Sequence, residues 1–300
     1  MLSRTADSLF WMSRYIERAE NTARLLDVQR QATLLPSAFG VQPVGYAQAL
    51  HDMVAEPLNP ASIISCITAA RENCRAVRGA VNTDVWETVN ATWLELRAWI
   101  TAAQWQKDPY DLLEWVKLRS HLFRGITIGT MLKDEAFYFM RLGTFIERAD
   151  STARILDSKF SHPNPDGEGD GPLEDRMDYY YWASVLRSVS ALEIYRKVYR
   201  DVITPRRVAE LLIQRADMPR SLLACLNEVC GNLDQISDRG DTESKRLAGR
   251  LRADVQYLRV DDTFERDIHT FLNGFSEQVY ALGTRICREF SGDHAEATFA

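Results

Sequence analysis

Two stretches of the chain carry the same pattern of apolar and polar positions. In both, apolar residues recur at alternating spacings of four and three, which places them on one face of an α-helix. The first stripe consists of Met12, Ile16, Ala19, Ala23 and Leu26, and the second of Leu142, Ile146, Ala149, Ala153 and Leu156. The small alanines at the centre of each stripe predict that another helix approaches closely there.

The polar positions of the two stretches agree as well. Residues 16–27 and 146–157 lie 130 positions apart and are identical at nine of twelve positions. An amphipathic helix requires apolar residues at helical spacing, but it does not require the same Glu, Arg, Thr and Asp at the same places. The match therefore indicates an internal repeat.

The remainder of the chain shows helix starts and stops and almost no strand pattern. A weak point or bend is expected at Gly125–Gly129. The predicted helices are 8–30, a short segment at 46–54, one from Asn59-Pro60, one from Thr83 or Asp84, one from Asp108-Pro109, then 133–160, 177–200, one from Thr204-Pro205, one from Met218-Pro219, one from Asp241-Thr242, and 264–290 with a capping box at Asp262 and Glu265. The predicted fold class is all-α.

A second, shorter sequence repeat supports a chain built from two related halves. Residues 60–67 resemble residues 219–226 at an offset of 159, with Pro, Ser and Cys in register. This offset exceeds the first by 29 residues, so the second half would carry an insertion of that length. We expect a single domain over 1–300, forming a helical bundle with halves at about 1–130 and 131–290. A mobile linker is expected at 161–176, where Pro, Gly and acidic residues concentrate.

Composition and charge narrow the class of protein. A net charge of −6 argues against general nucleic-acid binding. No apolar run approaches the roughly 20 residues needed to cross a bilayer, and the N-terminus lacks the apolar core of a signal peptide. The five cysteines include no Cys-x-x-Cys pair. We therefore expect a cytoplasmic protein with reduced, buried thiols and no membrane partner.

Repeated charges run beside the two apolar stripes. The polar residues beside the stripes are Glu17, Asn21 and Arg24 in the first copy, and Glu147, Ser151 and Arg154 in the second. Taken singly, pairs such as Glu20 with Arg24 fit solvated i,i+4 contacts. For the repeated set we favour a polar seam at a helix–helix contact or a ligand cleft. Glu17 and Arg24 lie roughly 10 Å apart along a helix, so their partners should lie on other helices or on a ligand.

A basic stripe belongs to the first half alone. Arg71, Arg75 and Arg78 share one helix face, next to Glu72 and Asn73, and the positions 159 residues later are not basic. Arginine side chains suit two-pronged binding of a carboxylate or phosphate. The alternative is pairing with the repeated glutamates inside the bundle, and both hold if a ligand replaces one carboxylate.

Motifs of several enzyme classes are missing from the sequence. None of the five histidines follows a glutamate by three residues, so the Glu-x-x-His pairs of a di-iron site are absent. There is no P-loop, no dinucleotide-binding glycine fingerprint and no His-Glu-x-x-His. We expect no metal site and no cofactor bound by this chain. A Ser/His or Cys/His pair stays open, because such partners are neighbours in space rather than in sequence.

Four segments resemble the alpha-E domain family, a bacterial all-helical family. They are residues 13–27 with the core Tyr15-Ile16-Glu17-Arg18-Ala19-Glu20, residues 70–78 followed by Trp86 and Asn90, residues 139–150, and Pro219-Arg220-Ser221-Leu222. The resemblance spans nearly the whole chain. One departure is Cys74, where a small apolar residue such as alanine is expected.

The resemblance implies a companion of an ATP-grasp amide ligase, and often of a transglutaminase-like peptidase. ATP and Mg²⁺ would be used by the ligase, because its chemistry needs phosphate-binding loops on a mixed α/β frame. We therefore expect an accessory or substrate-handling subunit that is not catalytic on its own. Its Glu/Arg cleft would bind an amino-acid or peptide carboxylate, or dock the ligase.

The expected ligand- or partner-binding residues are Arg18, Glu20, Asn21, Arg24, Arg71, Glu72, Asn73, Arg75, Arg78, Arg148, Asp150, Arg154 and Arg220. Two alternatives remain open at this point. One is a stand-alone enzyme acting on amides, with Glu17 or Glu147 as general base tuned by burial among arginines. The other is a purely structural scaffold whose charged seam fixes the helix register.

Overall fold

The chain folds into helices in all of its longer described segments. The computed structural model describes residues 3–34, 45–160, 172–236, 240, 242–260 and 267–290, and these ranges contain helices and no strand, which confirms the all-α class. The helices are α1 (Ser3–Thr33), α2 (Tyr46–Val54), α3 (Ile63–Ala76), α4 (Thr83–Ala102), α5 (Tyr110–Thr130), α6 (Glu135–Phe160), α7 (Pro172–Ser188), α8 (Leu192–Tyr199), α9 (Pro205–Ile213), α10 (Leu222–Ile236), α11 (Glu243–Gln256) and α12 (Ile268–Phe290). None of these helices is long and apolar enough to cross a bilayer.

Serine side chains begin two of the helices. The hydroxyl of Ser62 accepts the backbone N–H three residues on at 3.3 Å, and the hydroxyl of Ser221 does the same at 3.0 Å, as N-caps do. The starts predicted at Asn59-Pro60 and Met218-Pro219 are therefore too early. The segment after each proline is a turn, closed by bonds from the Ser62 N–H to Asn59 and from the Ser221 N–H to Met218.

Two further predictions concern the interior of helices. α5 runs without a break through Gly125–Gly129, where a weak point or bend is expected, and continues to Thr130. Neither glycine has a positive φ. The single helix expected over 177–200 is two helices, α7 and α8. They are separated at Ser190, whose φ of 56° is left-handed and cannot continue a right-handed helix.

Some predictions fall partly outside the described residues. Of the expected linker at 161–176, residues 161–171 lie outside them, and residues 172–176 belong to α7. The capping box at 262–265 also lies outside them. The predicted starts at Thr83 and at Thr204-Pro205 are confirmed, with the Thr204 hydroxyl accepting the N–H of Arg207 at 3.4 Å.

Helices α1 and α6, which carry the two repeated stretches, pack against each other at the centre of the bundle. Around α1 lie α3 and α5, with α4 packed on both of them. Around α6 lie α10 and α12, with α11 packed on both of them. This common order is the arrangement that two related halves would produce, with α7–α9 in the place of the insertion. The division at residue 130 stays a prediction.

The central alanines of both stripes are buried, as a close approach of another helix requires. Ala19, Ala23, Ala149 and Ala153 have no exposed surface. Further along the same contact, α6 presents Gly143 to the backbone of α1. A Cβ at this glycine would lie 2.1 Å from the carbonyl oxygen of Phe10.

We predict that Gly143→Ala destabilises the protein by about 1–3 kcal/mol, because the added methyl forces the two central helices apart. Urea unfolding followed by circular dichroism measures the change. Gly231→Ala is the matched control, since its Cβ meets no atom within 4 Å and lies inside α10. This control should gain about 0.5–1 kcal/mol from helix propensity. Equal effects of the two substitutions would contradict the close-packing argument.

Candidate functional site

The two Glu-Arg pairs of the repeat bind each other across the contact between α1 and α6. Arg148 donates from Nε to Glu17 Oε1 and from Nη2 to Oε2, both at 3.0 Å. Reciprocally, Arg18 donates to the two oxygens of Glu147 at 2.6 and 3.0 Å. Both contacts are two-pronged, the strongest geometry for an arginine and a carboxylate. Each copy of the repeat therefore holds the glutamate of the other.

Further arginines complete the shell around each glutamate. Glu17 also contacts Arg220, from the loop before α10, and Arg124, from α5, each at 2.9 Å. Glu147 also accepts a hydrogen bond from Arg14 at 2.8 Å. The expectation that the partners lie on other helices is confirmed for Glu17. For Arg24 it is wrong in part, because this side chain binds Glu20 of its own helix as well as lying beside His121 of α5.

Glu20 extends the cluster by one turn of α1. It contacts Arg220 at 2.6 Å and Arg24 at 2.7 Å, and it accepts hydrogen bonds from Arg124 and from Ser120 on α5. Arg24 also lies 3.1 Å from the exposed ring of His121. The side-chain oxygen of Asn21 accepts a bond from Arg220 at 2.9 Å. We call the set Glu17, Glu20, Glu147, Arg14, Arg18, Arg24, Arg124, Arg148 and Arg220 the Glu/Arg network.

Burial and charge act in opposite directions on these carboxylates. Glu17 and Glu20 are 1% and 0% exposed. Burial by itself raises the pKa of Glu17, but Arg148 and Arg220 outweigh it and hold that pKa below its ordinary value. For Glu20, burial is outweighed by a hydrogen bond from His121 and by the nearby arginines, so its pKa lies well below the ordinary value. Both side chains are therefore ionised at neutral pH.

This geometry disfavours Glu17 and Glu147 as general bases. A general base at neutral pH needs a raised pKa and a lone pair within reach of substrate. Here Glu17 has a lowered pKa, and both oxygens of each glutamate accept from guanidinium groups. At 1% and 4% exposure the two residues are enclosed by the protein.

The second copy of the Glu20/Arg24 pair lies in a different environment. Arg154 donates to Asp150 at 2.9 Å, but the Arg154 side chain is 65% exposed. The other oxygen of Asp150 is buried, with no hydrogen-bond partner among the described residues. The two copies of the repeat therefore place this acid–arginine pair in different surroundings, buried in the first copy and partly exposed in the second.

The basic stripe of α3 lies away from the Glu/Arg network. Arg71 donates to Asn90 at 2.9 Å and to Glu72 at 2.6 Å, and Glu72 also binds Arg75 at 2.7 Å. Asn73 bonds a carbonyl of its own helix. The alternative that the stripe pairs with Glu17, Glu20 or Glu147 is wrong, because the apolar face of α3 packs on α1 and turns the arginines towards α4.

Arginine and tryptophan side chains alternate over this face. Arg71 lies over Trp93 at 4.2 Å and over Trp86 at 5.8 Å, measured to the ring centroids. The guanidinium group of Arg97 lies 4.9 Å from the ring centroid of Trp93, and that of Arg78 lies 4.9 Å from the ring centroid of Trp86. These distances allow cation–π attraction. We call Arg97, Trp93, Arg71, Trp86 and Arg78 the Arg–Trp ladder.

A groove of about 550 Å³ opens where the Glu/Arg network reaches the surface. Its walls come from α1, α5, the end of α7 and the start of α8. The lining residues are Arg24, Asp27, Val28, Gln31, Lys117, Arg187, Ser190, Leu192, Glu193 and Ile194. Of the expected binding residues, only Arg24 lies here. No group of three His, Cys, Asp or Glu side chains in the described ranges is arranged to hold a metal ion.

Sequence reasoning missed several members of these sites. A polar stripe on α5 could have been predicted, because its residues are spaced by three and four positions: Lys117, Ser120 and Arg124. Arg14 lies one turn before Arg18 on the same face. Arg187 carried no readable signal, because the break at Ser190 that places it beside the groove was not predicted.

We predict that Glu20→Gln lowers the free energy of unfolding at pH 7 by about 3–5 kcal/mol, because it leaves buried arginines without their carboxylate. Chemical denaturation measures the loss. Asp150→Asn is the control at the equivalent repeat position, where the single arginine partner is exposed. Its loss should stay under about 1 kcal/mol. A small effect at Glu20 would show that the network contributes little to stability.

A second prediction concerns how the free energy of unfolding depends on pH. The pKa values of Glu17 and Glu20 are depressed on folding from an ordinary 4.5, so the folded state binds fewer protons than the unfolded state. Their stabilisation is complete above about pH 4.5 and is lost as pH falls through the folded-state pKa values. Unfolding titrations between pH 7 and 3 should show this loss, and Glu20→Gln should have a shallower dependence. Parallel curves for the two proteins would contradict the assignment.

Comparison with known proteins comes from sequence alone, since no solved structure matches the chain. An uncharacterised protein of Mycobacterium bovis and an uncharacterised protein of Mycobacterium tuberculosis are each 24% identical to it over 308 residues. The alignment covers 87% of this chain but 33% of each relative, so the chain spans about a third of their length.

A family model also matches the chain. It is described as "Alpha-E: A predicted alpha-helical domain with a conserved ER motif" and covers residues 1–290. Glu-Arg pairs stand at residues 17–18 and 147–148, where they form the reciprocal contacts between α1 and α6. The chain belongs to the Alpha-E family.

Proposed function

We propose that this chain is an accessory module of a cytoplasmic ATP-grasp amide-ligase system, which docks the ligase and contributes no catalytic group. The observation that carries the proposal is the Arg–Trp ladder, which keeps cations at the surface while the glutamates of the repeat are enclosed. The partner supplies ATP, Mg²⁺ and the chemistry of amide formation. A transglutaminase-like peptidase is a second partner of the same system.

The ladder has the features of a pre-ordered docking surface. Arg71 is fixed by Asn90, Glu72 and two indole rings, and its side chain is 22% exposed. Arg75 beside it is 65% exposed. Guanidinium groups held in place lose less conformational freedom on binding than free ones. An acidic surface of the ligase is therefore the complementary partner.

The lengths of the relatives also support a module that acts with other domains. In each, the matching region is 33% of the protein, so a helical region similar to this one is joined to a longer polypeptide. The proposal places the catalytic centre in a separate domain or chain, whether joined covalently or not.

The two other functions considered from the sequence have less support. A stand-alone amide enzyme would need a base other than Glu17 and Glu147, since both are enclosed by arginines. A structural scaffold accounts for the Glu/Arg network. It does not account for arginines arranged over tryptophans on the surface of α3 and α4.

The test is a pull-down from the native cell with tagged chain, followed by mass spectrometry. We expect recovery of an ATP-grasp protein, and at least a tenfold loss of that recovery with the double substitution Arg75→Ala and Arg78→Ala. Arg71 is left intact because it packs between Trp86 and Trp93.

The matched control is the double substitution Arg154→Ala and Arg207→Ala. Each of these arginines forms a partly exposed ion pair away from the ladder, and Arg154 is as exposed as Arg75. Thermal unfolding of both double variants should stay close to that of the parent. Failure to recover an ATP-grasp protein, or equal losses in the two double variants, would overturn the proposal.

A further inference from the structure

The groove beside Arg24 carries cations that the fold does not fully use. Arg24 binds Glu20 and His121 through Nε and Nη2, which leaves Nη1 without a bond to any described residue. Lys117 is 8% exposed and binds Asp27 and Glu114, so one of its three donors remains. Arg187 is exposed and has no ion pair or hydrogen bond within the described ranges. Three positive groups therefore line one cavity, and each of them keeps at least one hydrogen-bond donor that is not used within the described ranges.

The open end of α8 adds backbone donors to the same cavity. The N-cap of this helix is Ala191, whose methyl side chain cannot accept a hydrogen bond from the first backbone N–H groups. Leu192, Glu193 and Ile194, the first three residues of the helix, all line the groove. Uncapped N–H groups and the positive end of a helix dipole attract an anion. The left-handed Ser190 turns the chain so that Arg187 and this helix end face the same space.

The groove also contains negative charge. Asp27 is held by Lys117 and Arg30, both at 3.1 Å. Glu193 is exposed and has no cation partner within the described ranges. A phosphate carries negative charge alone and would be repelled by Glu193. A ligand with a carboxylate and an ammonium group can use the cations and Glu193 together.

We propose that this groove binds a small zwitterion, an amino acid or a short peptide. Its carboxylate lies at Arg187, Lys117 and the N-terminus of α8, and its ammonium group lies at Glu193. Val28, Leu192 and Ile194 provide apolar wall for a side chain, and the volume of about 550 Å³ is that of a small-molecule site. This site does not depend on the docking proposal, since it lies on different helices from the Arg–Trp ladder.

The experiment uses the purified full chain and saturation-transfer NMR with the twenty amino acids and a set of dipeptides, followed by calorimetry of the best binder. We expect binding of at least one of them. Its C-terminal amide and its N-acetyl form should each bind at least tenfold more weakly. Inorganic phosphate, tested separately, should bind more weakly than the zwitterion.

Arg187→Ala should weaken binding of the best zwitterion at least tenfold, and Glu193→Gln should weaken it while leaving the N-acetyl form unaffected. Both side chains are exposed, so these variants should fold as the parent does. Arg154→Ala, which lies outside the groove, should change nothing. The proposal is overturned if no amino acid or dipeptide binds, if phosphate binds more tightly, or if Arg187→Ala binds like the parent. None of these outcomes affects recovery of the ligase by the ladder.

Discussion

The burial of three glutamates at the centre of the bundle constrains the rest of this structure. A carboxylate removed from water is tolerated only when hydrogen-bonded cations surround it. Glu17 and Glu147 each meet this demand with an arginine from the opposite central helix. These two-pronged contacts fix the register of α1 against α6, and the alanines and Gly143 bring the two backbones close enough to form them. A shift of either helix by one turn would break both pairs.

The same demand explains why the most motif-like residues are structural. The pKa values of Glu17 and Glu20 are lowered, and both oxygens of Glu147 accept hydrogen bonds from arginines, so none of the three is arranged to act as a base. The cations that lie nearer the surface are in the Arg–Trp ladder on α3 and α4 and in the groove beside α8, where we propose docking and ligand binding. Arg24 belongs to both levels, since it anchors Glu20 and lines the groove. The buried network and the groove therefore share one side chain.

Positive charge in excess is a common feature of these regions, although the chain as a whole carries −6. Four arginines surround Glu17 and Glu20, and the ladder and the groove add more at the surface. In a protein of acidic composition such regions focus attraction for carboxylates. The proposed docking surface and the proposed ligand site therefore share an excess of arginine and lysine over the carboxylates that lie beside them.

The sequence by itself determined the helical class, the repeated central helices and their apolar faces, because a period of 3.6 residues shows which side chains share a face. It also indicated that Glu17 has its partners outside its own helix. Only the tertiary structure decided which partners. Arg71 and Arg78 stack on Trp86 and Trp93, and the groove unites residues from positions 24, 117 and 187. A helical period fixes the face of each helix, but packing of the whole bundle fixes which face meets which.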